Sequence, residues 1–198
     1  MDVSSDIEKF NRWSGTYEES WFQYLYFDRI HNGVLRFVMV KSVPGDIVDV
    51  GCGTGRLLRK IRERWPHARL TGIDPAEGMV QKARHLMSDA AFIVSPAESI
   101  PLPDASADLV FSTTSFHHWS DQAQGIREIR RVLRPGGQFV LSDIAPLPFF
   151  LRCVNRGHGH LRTRHEVQIM FEQADLEVQA QRRLMLGHII VTSGIRKE

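Results

Sequence analysis

Apolar residues recur at helical spacing through residues 1–45, most clearly in "YEESWFQYLYFDRIHNGVLRFVMVKSV", and Pro44-Gly45 stops the run. From residue 46 the pattern changes to short apolar runs separated by amphipathic stretches. "DIVDVGC" reads as a short buried strand and "GRLLRKIRERW" as a helix ended by Pro66. "ARLTGID" predicts a second strand, and "PAEGMVQKARHLM" a second helix with Pro75 just inside its start. "AAFIV" is a third strand, followed by the loop "SPAESIPLPDASA", and "DLVFSTTS" a fourth. "DQAQGIREIRRVL" predicts a helix closed by the turn "RPGG", and "QFVLSDI" a fifth strand. Residues 145–165 carry prolines and arginines but no acidic residue. A helix near 164–174 follows, then two strand-like runs, "LEVQAQRRLML" and "HIIVTSG", close enough to pair antiparallel at an edge.

Alternating strands and helices over about a hundred residues predict an α/β fold: a doubly wound, mostly parallel sheet with helices on both faces. A chain of 198 residues is one domain long, and it shows no internal repeat. We read it as a single domain, 1–198, with an N-terminal helical segment (1–45), a core (46–144), a segment over the site (145–165) and a C-terminal helix with edge strands (166–198).

Composition narrows the function. Hydrophobic content of 42% and charged content of 24% are those of an ordinary globular chain, and the formal net charge of +2 gives no reason to expect nucleic acid as a partner. Two distant cysteines, Cys52 and Cys153, form neither a disulfide framework nor a zinc site, and no metal is expected. The start "MDVSSDIEKF" lacks a secretory signature, and the apolar stretch 21–40 is broken by Asp28, Arg29, His31, Asn32 and Arg36. No membrane span and a cytoplasmic setting are therefore expected.

The chemistry starts at "IVDVGCGTGRLLRKI" (47–61). Gly51, Gly53 and Gly55 follow the first strand of the alternating region, where an open α/β sheet binds ligands. The spacing is G-x-G-x-G, not the G-x-G-x-x-G of a dinucleotide site, and the G-x-x-x-x-G-K-[ST] phosphate loop is absent. Asp49 just before the loop would repel a pyrophosphate but suit an ammonium group. Asp74 ends the second strand, 19 residues past Gly55, where a carboxylate accepts ribose hydroxyls. The following helix points its N-terminus at the site and favours an anion. Together these demands describe an adenosine with a zwitterionic amino-acid tail, which S-adenosylmethionine satisfies.

"VDVGCGTG", "GIDPAEGMVQKAR", "SPAESIPLPDASADLV", "FHHW" and "VLRPGGQFVLSD" follow one another from about residue 46 to 144. In that order they resemble the motifs of class I S-adenosylmethionine-dependent methyltransferases. The subgroup they look most like is the small-molecule, methyltransferase type 11 group that includes ubiquinone-biosynthesis enzymes. "RWSGTYEESW" is similar to that subgroup's N-terminal segment. The resemblance implies a Rossmann-like methyltransferase fold, a seven-stranded sheet with an antiparallel last strand, with S-adenosylmethionine as cofactor and S-adenosylhomocysteine as product. It implies that Gly51 and Gly53, flanking Cys52, contact the methionine part through backbone atoms and that Asp74 binds the ribose. It further implies that Pro75 and Met79 flank the adenine and that the Ala97 N–H reaches an adenine nitrogen. The Thr113 carbonyl helps hold the ammonium, and Tyr17 closes the pocket. The family often has Asp-Ala where this chain has Pro96-Ala97, so Glu98, Ser95 or water would have to meet the adenine amino group.

Transfer from a sulfonium needs alignment and exclusion of water, and a base only if the acceptor must lose a proton. No N/D-P-P-Y/F run follows the fourth strand, and no Pro-Cys nucleophile appears, which argues against an adenine amino group or a cytosine carbon as acceptor; the small-molecule acceptor is what the resemblance implies. His117 and His118 follow the fourth strand and are expected either to act as base or positioning groups or to pack and cap. His158, His160 and His165 alternate with Arg152, Arg156, Arg162 and Arg164. One reading makes this a lid in which His158, His160, Arg162 and Arg164 hold an anionic acceptor; the other is a solvated surface loop. Two other functions stay open at this point: a non-catalytic S-adenosylmethionine-binding protein and a Rossmann NAD(P) oxidoreductase. The sequence does not define the oligomeric state.

Overall fold

The computed structural model describes residues 3–15, 21–40, 42–146 and 160–197. In chain order it holds α1 (Val3–Trp13), α2 (Trp21–Leu35), β1 (Asp46–Val50), α3 (Arg56–Arg64), β2 (Arg69–Asp74), α4 (Glu77–Leu86) and β3 (Ala91–Val94). Then follow β4 (Ala107–Thr113), α5 (Gln122–Val132), β5 (Leu133–Ile144), α6 (Arg164–Gln173), β6 (Leu176–Leu184) and β7 (Ile189–Arg196). Short 3-10 turns lie at Phe116–His118 and Met185–Gly187.

The strands form one seven-stranded sheet in the order β3-β2-β1-β4-β5-β7-β6. β1 to β5 are parallel; β7 lies antiparallel between β5 and β6. The doubly wound sheet with an antiparallel last strand is thus observed. Period-two alternation explains why both faces are covered. Ile47, Leu109, Phe111 and Val140 pack on one side with α2 (Ile30, Val34), α3 (Leu57, Leu58, Ile61) and α4 (Val80, Ala83). Their neighbours Val48, Val110, Phe139 and Leu141 pack on the other with α5 (Ile126, Ile129) and α6 (Val167, Phe171). The strand order reverses between β1 and β4, so their carboxyl ends open the crevice where such sheets bind ligands.

Three local expectations are corrected. The helical pattern of residues 1–45 resolves into α1 and α2, and α2 stops at Leu35 rather than at Pro44. Past it, the Phe37 carbonyl and Met39 N–H are taken by the Gln138 amide, at 2.9 and 2.8 Å, which holds this stretch against β5 instead of in a helix. Pro75 stands ahead of the α4 N-cap, Ala76, not inside the first turn. The Asp74 carboxylate accepts the Ala76 N–H at 2.9 Å and turns the chain there. "RPGG" does not leave the sheet. It lies within β5 as a bulge, Ala107 opposing Leu133 but Leu109 opposing Gln138, and Gly136 supplies the positive φ of 77°. No described helix is long and apolar enough to cross a membrane.

Candidate functional site

Three glycines build the floor of the crevice for three different reasons. Gly51 has φ 78°, and a Cβ there would overlap the Ser115 hydroxyl, which itself bonds the Val50 carbonyl. Gly55, at φ 75°, caps α3 and packs its Cα against the Phe92 ring. Gly53, at φ 53°, differs from both: a Cβ there would meet nothing within 4 Å. It faces the open space of the cleft, so its missing side chain makes room for a ligand and not for the protein.

The loop's N–H groups are largely committed inside the chain. Gly51 and Cys52 donate to the Ile73 carbonyl at 2.7 and 3.0 Å, and Gly53 donates to Asp74 Oδ2 at 2.9 Å. The backbone atoms these glycines still offer a ligand are therefore carbonyls, which suit a cation. Asp74, with one bond to each oxygen, keeps lone pairs on both for ligand hydroxyls. Burial raises its pKa to about 6, against the pull of those two N–H bonds. Asp49 is more extreme. It is 1% exposed, its Oδ1 has no hydrogen-bond partner among the described residues, and burial, then the Asp74 charge, pushes its pKa to about 8. Cys52 lines the same cleft as a free thiol, pushed up by burial and inert as a nucleophile at neutral pH.

These groups share one cleft with about 1090 Å³ of atom-free space, part of it open to solvent. Its adenine-sized apolar wall consists of Pro75, Met79 and Ala97. Ser95 and Glu98 also line it, but both are engaged: Ser95 donates to the Ser99 carbonyl at 2.6 Å, and Glu98 Oε1 accepts Ser120 Oγ and the Asp121 N–H at 2.7 and 2.9 Å. The second Glu98 oxygen and the lone pairs of the Ser95 hydroxyl remain as acceptors for an adenine amino group. Thr113 ends β4 on the cleft, and its carbonyl accepts the Thr114 hydroxyl at 2.8 Å. Thr114 holds a left-handed φ of 52°, a strained conformation placed at the mouth of the site.

The two adjacent histidines have different environments. His118 lines the cleft, edge-on to Phe10 of α1 at 5.2 Å. His117 is buried, and Asp143 at the end of β5 holds both its backbone N–H and its Nδ1 at 2.7 Å. Gln122 extends that arrangement, donating to the Phe116 and His160 carbonyls at 2.9 and 2.8 Å and accepting Arg162 Nε at 2.7 Å. Arg162 and Arg164 do not line the cleft. Arg162 is tied to Gln122 and Glu166, and Arg164 reaches the Gln181 carbonyl of β6 at 3.4 Å. His160 is exposed, its N–H on the His117 carbonyl at 3.0 Å. Tyr17 and His158 lie outside the described residues. Among the described residues no group of three metal-binding side chains occurs.

Sequence reasoning missed the groups that close the cleft from the N-terminal side: Ile7 and Phe10 of α1, and Phe27 and His31 of α2. The N–H of Gly78 on α4 donates to Asn11 Oδ1 at 2.8 Å and helps seat α1 there. Arg56, in the first turn of α3, was also missed; it is buried, with its guanidinium 5.9 Å from the Phe27 ring centroid. A lone histidine or arginine in an apolar helix reads as packing, so only the three-dimensional assembly gives these residues a role.

Residues 48–141 match the methyltransferase type 11 family, described as a methyltransferase domain. The chain is 39% identical over 112 residues to a malonyl-[acyl-carrier protein] O-methyltransferase of Hahella chejuensis, covering 56% of this chain and 40% of that protein. It is 33% identical over 103 residues to a demethylmenaquinone methyltransferase of Thermotoga maritima, covering 52% and 45%. The chain thus spans less than half the length of either relative. In fold it is similar to a chain of the Haloferax volcanii complex between the Trm112 methyltransferase activator and a methyltransferase, with a TM-score of 0.80 and 21% identity over 96% of this chain and 98% of that one.

Proposed function

We propose that the chain is a class I S-adenosylmethionine-dependent methyltransferase that transfers a methyl group to a small-molecule acceptor, a reading supported by the match of residues 48–141 to a methyltransferase domain and by the methyltransferases it is similar to. The observation that carries this reading is the pairing of Gly53, open to the cleft, with the partly unpaired buried carboxyls of Asp74 and Asp49. That set offers acceptors to ribose hydroxyls and to an ammonium rather than the donors a pyrophosphate needs. Bound there, S-adenosylmethionine would supply a methyl group already activated by its sulfonium. The chain's own work is to hold, orient and shield. Asp74 would accept the ribose hydroxyls with its remaining lone pairs. Pro75, Met79 and Ala97 would enclose the adenine, with the Ala97 N–H on a ring nitrogen and the free Glu98 oxygen on the amino group. The Gly51 and Thr113 carbonyls would share the ammonium with Asp49.

His118, which lines the cleft, would be the histidine that touches an acceptor, and His117, held by Asp143, would position it. As a base His118 serves an acceptor that must lose a proton; an anionic acceptor needs only alignment. Ile7, Phe10 and Trp119 give the acceptor end an apolar lining. We read the chain as one domain in which segment 145–165 borders that end. Both described flanks support this: the Ala145 N–H bonds the His188 carbonyl at 2.8 Å, and the His160 N–H bonds that of His117.

The test is S-adenosylhomocysteine formation across a panel of hydroxyl, amine and carboxylate acceptors. His118→Ala is expected to lower kcat at least about a hundredfold on an acceptor that must be deprotonated, with cofactor affinity changed less than twofold. A chain that binds the cofactor but turns over no acceptor would be a binding protein. One that binds NAD instead would be an oxidoreductase.

A further inference from the structure

Asp49 and His31, which line the cleft, each keep a buried polar atom with no hydrogen-bond partner among the described residues, Oδ1 and Nδ1 respectively. Buried polar atoms are rarely left unpaired, because the lost hydration is not recovered. Asp49 has a use for its free oxygen, the ammonium of the amino-acid tail. His31 has had none so far. It sits on α2, 5% exposed, its ring stacked on Phe27 at 6.2 Å. A histidine serving only as core packing would be expected to hydrogen-bond within the chain.

Its surroundings are cationic. Lys60, Arg56 and Arg59 all act on His31, with Asp28 the one opposing charge, and burial with these cations holds the ring neutral, its pKa down to about 3. Lys60 is paired with Asp28. Arg56 lines the cleft beside His31. α3 begins there without an acidic residue in its first turn and without a side-chain cap at Gly55. The acidic side chains of the cleft lie elsewhere: Asp49 and Asp74 at the strand ends, Glu98 against the start of α5. One end of the cleft thus accepts cations, and the other offers donors to an anion.

We propose that His31, with Arg56 and the first turn of α3, receives the carboxylate of the S-adenosylmethionine amino-acid tail while Asp49 receives its ammonium. Asp49 Oδ1 and His31 Nδ1 then each meet one end of one zwitterion. The neutral imidazole donates its single N–H to a carboxylate oxygen, a charge-assisted bond inside a dry site. This inference rests on the S-adenosylmethionine reading and makes His31 the residue that selects a cofactor with its tail intact.

Calorimetry with two probes separates the ideas. S-adenosylhomocysteine carries the tail, whereas 5′-methylthioadenosine keeps the adenosine and thioether but lacks it. His31→Phe is expected to weaken S-adenosylhomocysteine roughly ten- to a hundredfold and 5′-methylthioadenosine less than about twofold. His31→Gln, which keeps an N–H at similar reach, is expected to retain most of the affinity. Should His31→Phe fail to unfold cooperatively, His31→Asn, whose amide is too short to reach, takes its place. Equal losses for both probes would reduce His31 to a structural residue and overturn the inference. Unchanged S-adenosylhomocysteine affinity in His31→Phe would overturn it too. Wild-type protein that binds neither probe would instead overturn the cofactor reading on which it rests.

Discussion

Asp46 and Asp49 lie three residues apart on one strand, β1, yet they behave as opposites. Asp46, at the amino end of the sheet, has its pKa lowered: partial burial works to raise it, but hydrogen bonds from Arg69 (2.6 Å) and Arg134 (2.9 Å) outweigh that. Its neighbour Asp108 accepts Arg134 at 2.6 Å and the N–H groups of Gly45 and Asp46 at 2.7 and 2.9 Å. Glu128, on α5, is likewise lowered, chiefly by Arg131. The carboxyl end shows the reverse. Asp49 and Asp74 are raised to about 8 and about 6, Asp49 and His31 keep unpaired atoms, and Gly51, Gly53 and Thr114 take left-handed conformations. The same residue type completes the scaffold at one end and waits for a ligand at the other. At the cleft, strain and unmet polar groups stand where binding can repay them.

That contrast can be broken at either end. The largest effect is expected from Asp74→Ala, which removes the ribose acceptor and the hold on Gly53 and Ala76. S-adenosylhomocysteine affinity should fall about a hundredfold or more, at ~1.5–3 kcal/mol per charge-assisted hydrogen bond, as read by calorimetry. Next is Asp49→Asn. In the free chain Asp49 stays protonated up to about pH 8, whereas an unfolded aspartate ionises near 3.9. The folded form therefore binds more protons between those values, and the free chain loses stability as pH rises through that window. A cofactor ammonium favours the ionised form. Affinity should rise between pH 6 and 7.5 by up to about tenfold per unit, with proton release on binding. Titrations in buffers of different ionisation enthalpy check this, and Asp49→Asn should flatten the profile. The smallest effect is expected at the amino end. Arg134→Ala should cost about 1 kcal/mol of stability, as for a partly exposed ion pair, and leave cofactor affinity within about twofold. A denaturant titration paired with calorimetry reads both.

The features that repeat locally were legible in the sequence. Alternation along Ile47–Val50 and Leu109–Phe111 gave the strands, and the spacing of Gly51, Gly53 and Gly55 with Asp49 and Asp74 gave the cofactor end. What escaped depends on partners distant in the chain. Gln138 claims the backbone of Phe37 and Met39 and so shortens α2. Asp143 fixes His117 from a neighbouring strand, a relation no spacing announces. β7 lies between β5 and β6, so the chain order of the last strands is not their order in space. His31 and Arg56 had no motif around them; their significance comes from burial in a shared cleft. Gly53 was expected to meet the methionine part through backbone atoms; that Asp74 already holds its N–H is visible only in the fold.

The central claim is that the cleft at the carboxyl ends of β1, β2 and β4 is an S-adenosylmethionine site whose floor is kept open by Gly53. The most direct test is calorimetric titration of S-adenosylhomocysteine into wild-type protein and Gly53→Val, each first shown to unfold cooperatively. A valine at φ 53° adds strain of roughly 1–2 kcal/mol, and its side chain projects into the cleft. Saturable binding by the wild type and none by Gly53→Val is the predicted result. Equal binding by both proteins, or no binding by the wild type, would contradict it.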